Sequence, residues 1–311
     1  MTPLSDPQPR TDRNATLDIA RLLAAFGIVL FHAGAPGRSI GYAALPFFLM
    51  LLIVLGLPAA AARPFGSFMT NRARRLLIPW GIWSALYGAV KLLEVGFTQK
   101  TYAQEFTLSM LLTGPALHLW FLPFAFVASL TLPPLVRLWP ATTAGQSRML
   151  GLLLVASFAS LALQQGPPLS IPLAQWATAL PALGIGVALG LSRGNTTLTI
   201  GAALGIFLLG TAAFALGWTT GLLQLGLASA ALLLCLAVQS RETALSRLCA
   251  QTSLTVYLVH PLILSILRRS TNLDEHSLAM AGAAMIVSFM FAYGLFHATH
   301  LWRSSGVKGT T

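Results

Sequence analysis

The chain has 311 residues, of which 56% are hydrophobic and only 9% charged, with a formal net charge of +11. A soluble domain of this size needs far more charge to cover its surface, so the composition excludes one. The apolar runs are long and continuous rather than short and alternating, which excludes an outer-membrane barrel and predicts an all-α polytopic membrane protein.

The first fourteen residues form a polar stretch carrying Asp6, Arg10, Asp12 and Arg13. The apolar run behind it is too long for a signal peptide, and Gly34-Ala35-Pro36-Gly37 leads straight into a second run, so it reads as an uncleaved first helix. Windows of about 19 residues predict about ten transmembrane helices in a single bundle. They fall near 16–34, 40–62, 75–97, 117–138, 148–165, 172–191, 197–215, 219–239, 252–268 and 278–302. Breakers such as Gln164-Gln-Gly-Pro-Pro168 and Gly217-Trp-Thr-Thr-Gly221 separate them. The stretch Thr101–Gly114 reads as a re-entrant or surface helix. The expected organisation is a tail over 1–14, a membrane domain over 15–303 and a second tail over 304–311.

Basic residues set the orientation. With the N-terminus in the cytoplasm, the inner segments hold Arg10, Arg13, Arg63, Arg72, Arg74, Arg75, Arg137, Arg148, Arg193, Arg241, Arg247, Arg303 and Lys308. The outer ones hold Arg38, Lys100, Arg268 and Arg269, with Lys91 inside the third span. Both termini are therefore expected in the cytoplasm. The positive net charge is explained by these loop residues, and no nucleic-acid partner is implied.

Four polar clusters interrupt the apolar runs. Arg21 and His32 lie eleven positions apart in the first span. Eleven helical residues advance about 16 Å and return to within roughly 20° of the starting direction, so both share one stripe. Asp18, one turn before Arg21, is placed to pair with it. A charge at the middle of a spanning helix costs about 2.5–3.5 kcal/mol on insertion scales, so such a stripe reads as a functional site. The bland alternative is a snorkelling arginine and a histidine bonded across a helix interface.

The second cluster is Arg72, Arg74 and Arg75, ahead of Pro79. It reads either as a positive-inside anchor on anionic membrane lipids or as a cradle for phosphates. His118-Leu-Trp120 opens the fourth span, where an aromatic-belt tryptophan is expected in any case. Ser253, Tyr257 and His260 lie at i, i+4 and i+7, one polar face that bonds between helices or lines a cavity. His297 and His300 stand at i and i+3 without a carboxylate or cysteine beside them, and Cys235 and Cys249 suggest no disulfide framework, so no metal is expected.

Together these segments resemble the acyltransferase-3 family of integral-membrane O-acyltransferases. The likeness rests on Leu17-Asp18 with Arg21 and His32, on Arg72/Arg74/Arg75 before Pro79, on His118-Leu-Trp120-Phe-Leu, and on Ser253, Tyr257 and His260, in that order. It spans residues 17–260; the stretch from about 140 to 240 matches in hydropathy alone. The resemblance implies transfer of an acyl group, commonly acetyl, from cytoplasmic acyl-CoA to a hydroxyl of a cell-envelope glycan or glycolipid acceptor. By the same resemblance His32 is the catalytic histidine and Arg21 its essential companion.

Neutral imidazole is suited to taking the proton from a hydroxyl. The thioester oxyanion needs a donor, for which Trp120, Tyr257 or a backbone N–H near Pro123 are candidates. Acyl-CoA is cytoplasmic whereas His32 lies in the outer half of the membrane. Arg72, Arg74 and Arg75 are accordingly expected to hold the phosphates while the thioester threads inward, with His118, Trp120, Ser253, Tyr257 and His260 lining the cavity. A relay through a covalent acyl-histidine is the alternative route. The rival function is a transporter or flippase of a lipid-linked or other amphipathic glycan, since a polar stripe serves a conduit equally well.

Overall fold

The computed structural model describes residues 14–97, 101–167 and 169–306, with side chains as far as Thr299. Residues 1–13 and 307–311 of the two expected tails, Lys100, and the side chains of His300 and Arg303 lie outside the described residues. Every regular element among the described residues is helical. The bundle face where the first helix begins is called the near face, and the face where it ends the far face.

Helix α1 (Ala15–Ala33) starts on an Asn14 cap that accepts from Thr16 N–H. After a short far-face helix α2 (Arg38–Gly41), α3 (Ala44–Ala62) returns to the near face and α4 (Phe65–Phe97) crosses back. Two four-residue helices, α5 (Tyr102–Glu105) and α6 (Met110–Thr113), lead to a 3-10 turn, Leu117–Trp120, which continues as α7 (Phe121–Leu130) and α8 (Leu132–Arg137). Then come α9 (Thr143–Ala159), α10 (Leu173–Ser192), α11 (Thr196–Ala215), α12 (Leu222–Ala237), α13 (Ala244–Ser270) and α14 (Leu278–Gly306).

Among the described residues nine helices are long and apolar enough to cross a membrane. The tenth expected span is α12, whose 16 residues cover about 24 Å, short of the ~30 Å hydrocarbon core. It still runs the depth of the bundle. Gln224 near its start donates to the Ser39 carbonyl on the far face, and Asn14 on the near face donates to Cys235 and Val238 carbonyls at its end.

Two helix starts differ most from the sequence expectation. Helix α4 begins ten residues before position 75, because Arg72, Arg74 and Arg75 lower the hydropathy of a window without opposing helix. Helix α13 begins at Ala244 behind a Thr243/Ser246 capping box rather than at 252. The Thr101–Gly114 stretch forms neither a re-entrant nor a single surface helix. Its short turns are tied to α4 by a Lys91–Glu105 ion pair of 3.0 Å.

Small residues bring the helices close. Gly186 and Gly190 of α10 sit four apart against α3; a Cβ at 186 would lie 2.9 Å from Met50 Cα, and one at 190 would lie 2.3 Å from Leu57 Cδ1. This is the small-residue contact by which apolar helices associate in lipid. A large core joins α3, α7 and α9–α12, while a smaller one joins α1, α13 and α14 around Ala25, Val29, Val256 and Met280. Phe48 touches both, and Tyr257 on α13 belongs to the larger. The polar site lies at this seam.

Candidate active site

The site forms where α1 stops. Gly34 adopts the left-handed conformation at φ 70° and returns its N–H to the Leu30 and Phe31 carbonyls, so His32 stands in the final turn. The next two carbonyls are capped from outside the helix. Arg268 Nη2 donates to His32 O at 3.2 Å, and His276 Nδ1 donates to Ala33 O at 3.3 Å. Glu275 holds Arg268 from the other side at 3.8 Å. Helix ends leave four such carbonyls without internal partners, so these side chains supply bonds the helix lacks.

A proline shapes the partner helix. Pro261 within α13 has no N–H to give to the carbonyl four residues earlier, which is that of Tyr257. His260 Nδ1 takes the freed acceptor at 2.7 Å. With its proton committed there, the neutral ring presents Nε2 as a bare acceptor. That atom is buried and has no hydrogen-bond partner among the described residues.

Three imidazoles converge. The ring centres of His32 and His260 are 5.0 Å apart, those of His118 and His260 5.5 Å, and those of His32 and His118 6.4 Å. His118 and His260 are buried at 5% and 0% exposure, whereas His32 is exposed. The accessible ring thus stands in front of two sequestered ones. Tyr257 lies 5.8 Å from His118 and 6.0 Å from His260, and its hydroxyl donates to the His118 carbonyl. Tyr87, which the sequence reading did not single out, packs 5.2 Å from His118. The Tyr87 hydroxyl and His118 Nε2 both donate to Leu258 O, at 2.9 and 3.3 Å.

The remaining expected residues stand elsewhere. Trp120 is buried against Phe121 and Phe124, with ring centres 6.0 and 5.8 Å away. Ser253 is buried, its hydroxyl bonded back to Ala250 O of its own helix. Arg21 and Asp18 pair at 3.3 Å near the start of α1. They line a near-face cavity of ≈ 1210 Å³ together with Leu55, Pro58, Trp139 and Arg193. Mutual neutralisation, with Asp18 buried and Arg21 partly exposed, offsets the cost of keeping both charges in an apolar helix.

The arginine cluster lies on the other side of α3. Val54, Leu55, Leu57, Pro58 and Ala61 face the Arg21 cavity, whereas Gly56 faces the Arg72 guanidinium: a Cβ there would be 2.6 Å from Nη2. Arg72 is half-buried over the Phe68 ring, 5.1 Å from its centre, and Arg74 and Arg75 are exposed. Arg75 and Arg63, both positive, lie near enough to act on Arg72. Its Nε is buried without a partner among the described residues.

The structure therefore brings His32, His118, Tyr257 and His260 together and holds Ser253, Trp120, Arg21 and the arginine cluster apart from them. It adds Tyr87, Arg268 and His276. Arg268 carried a sequence signal, because a basic residue on the far face runs against the general charge asymmetry. Among the described residues no group of three or more His, Cys, Asp or Glu side chains is arranged to hold a metal ion.

An accessible imidazole backed by an unpartnered acceptor, in a helical membrane bundle, has the parts of a general base with its orienting group. The model of the acyltransferase-3 family, described as an acyltransferase domain, matches residues 14–297. The chain belongs to this family and is an integral-membrane acyltransferase. No curated protein and no solved structure matches it.

Proposed function

We propose that this protein transfers an acyl group, acetyl first among candidates, from cytoplasmic acyl-CoA to a hydroxyl of a cell-envelope glycan or glycolipid, with His32 as the base. The observation that carries the reading is the exposed His32 ring set before the buried His118 and His260. Taking the near face as cytoplasmic follows from its basic loops, and the acceptor then meets His32 from the far face.

His32 removes the acceptor's hydroxyl proton as the oxygen attacks the thioester carbonyl. The tetrahedral intermediate collapses with cleavage of the C–S bond. The thiolate takes the proton from the imidazolium, which returns CoA thiol and neutral His32. His260, through its free Nε2, accepts from the other nitrogen of His32 and keeps the ring in the attacking tautomer; such bonds tighten when substrate binds. At the near face Arg72, with no carboxylate paired to it among the described residues, holds the donor's phosphates.

Purified protein supplied with radiolabelled acetyl-CoA and an envelope glycolipid extract is expected to acylate the extract. His32→Ala is expected to remove at least about a hundredfold of that rate, the usual lower size of a general base's contribution, while the purified variant elutes as the wild type does. Acylation undiminished in His32→Ala, or movement of the glycolipid across proteoliposomes without acylation, overturns the reading.

A further inference from the structure

One face of α4 carries three hydrogen-bond donors without a partner among the described residues, and it ends on Tyr87, whose hydroxyl is bonded to Leu258 O. Arg72, Trp80, Ser84 and Tyr87 follow at intervals of eight, four and three, so they stay on one side of the helix. The four buried residues among the 33 of α4, Phe68, Leu76, Tyr87 and Val95, lie on this same side. Arg72 is pressed to Gly56 of α3 at one end. Further along, a Cβ on Gly114 would come 2.9 Å from Ser84 Oγ, and the Tyr87 ring reaches His118. The face thus runs inside the bundle from the near-face arginines to the histidine site.

Along it, Arg72 Nε, Trp80 Nε1 and Ser84 Oγ are buried and have no hydrogen-bond partner among the described residues. Native proteins seldom leave such groups unpaired, and three on one helix face call for a ligand. Guanidinium and indole N–H groups only donate, so the ligand must bring acceptors. Helical rise spaces Arg72 from Trp80 by about 12 Å, Trp80 from Ser84 by about 6 Å, and Ser84 from Tyr87 by about 4.5 Å.

We propose that this face is the bed of the donor's pantetheine arm. Trp80 Nε1 donates to the amide carbonyl nearer the phosphates, and Ser84 Oγ donates to the amide carbonyl nearer the sulfur. The inference rests on the acyl-CoA reading above. The two amide carbonyls of the arm are separated by a β-alanyl unit, one methylene longer than a peptide residue, or about 5 Å by covalent geometry. That interval matches one turn of α4. The cysteamine segment then carries the thioester on to the level of Tyr87 and His118, with the His32 ring 6.4 Å beyond His118. A lipid chain on this face would leave the same donors unpaired.

The test uses the full chain in nanodiscs, binding tritiated acetyl-CoA, with S-acetyl-N-acetylcysteamine as the competing probe. That small thioester keeps the amide nearer the sulfur and lacks the other. Trp80→Phe removes the indole N–H and keeps an aromatic ring. It is expected to weaken acetyl-CoA roughly five- to thirtyfold, the effect of one lost buried hydrogen bond, and to leave displacement by the small thioester within twofold. Ser84→Ala is expected to weaken both probes by the same factor. Trp80→Phe acting equally on both probes, or on neither, overturns the assignment. Wild-type protein that binds no acetyl-CoA overturns the acyl-CoA reading itself, and the pantetheine bed with it; that failure shows before any variant is made.

Discussion

Arg268 Nη2 donates to the backbone carbonyl of His32 at 3.2 Å, which ties the far end of α13 to the last turn of α1. The contact passes through the main chain, so it sets where the imidazole sits without touching what the imidazole does. Arg268→Ala is expected to lower kcat about three- to tenfold, in line with one lost hydrogen bond near the ring, and to leave KM for acyl-CoA unchanged. Arg268→Lys should recover part of the loss, and amide exchange at residues 31–34 should quicken in the alanine variant. A variant with raised donor KM and unchanged kcat would count against this role.

Gly34 is held by two constraints. Its φ of +70° disfavours any L side chain, and a Cβ would come 2.6 Å from His276 Nδ1. Gly37, at φ +84°, carries the first constraint without the second, its nearest neighbour being Leu30 Cδ2 at 3.6 Å. Placing alanine in the left-handed region costs about 1–2 kcal/mol. Gly34→Ala should therefore lower the unfolding temperature of the purified protein further than Gly37→Ala does. Adding His276→Ala to Gly34→Ala should narrow the gap. Equal shifts in the two single variants would show that the His276 contact does not matter.

His260 and His32 should behave as one unit if the free Nε2 of His260 orients the base. His260→Ala is then expected to reduce kcat by about 10- to 100-fold, a positioning effect on a general base. The variant His32→Ala with His260→Ala should be no slower than His32→Ala alone, because groups acting together are not additive. Rates that fall multiplicatively would give His260 an independent role.

Much of this arrangement was written in the chain. The hydropathy runs gave the helices, and the Arg21–His32 interval gave a helix with an ionisable stripe. What the interval hid is that its two ends serve different surroundings: Arg21 borders a near-face cavity beside Arg193, and His32 meets α13. Periodicity reports which residues share a face, but says nothing of which helix that face meets. Ser253, Tyr257 and His260 share a face, yet Ser253 bonds back into its own helix and only the other two reach the site. The role of Pro261 was legible in principle, since a proline always frees the carbonyl four residues before it. Tyr87 was not, because a lone tyrosine on a long apolar helix carries no spacing signal.

Helix α3 stands between two arginine-bearing regions of the near face, and under the proposed acyl-CoA donation these are the two candidate docks for its phosphates. Arg21 is paired with Asp18 at 3.3 Å and Arg193 is exposed at the rim of their shared cavity. Arg72 instead has a buried Nε without a partner among the described residues and the like charges of Arg63 and Arg75 near it, so an anion gains more there than at the Asp18-paired Arg21. Arg72→Ala is expected to raise KM for acetyl-CoA roughly 10- to 100-fold, the worth of a charge-assisted hydrogen bond, with a smaller change in kcat. Arg193→Ala should leave that KM within twofold. Because Arg72 lies inside the bundle wall, the donor's KM should also rise less steeply with salt than surface pairing would give. The opposite ranking of the two variants would move the donor's phosphates to the Arg21 side of α3 and make the near-face cavity its route to His32.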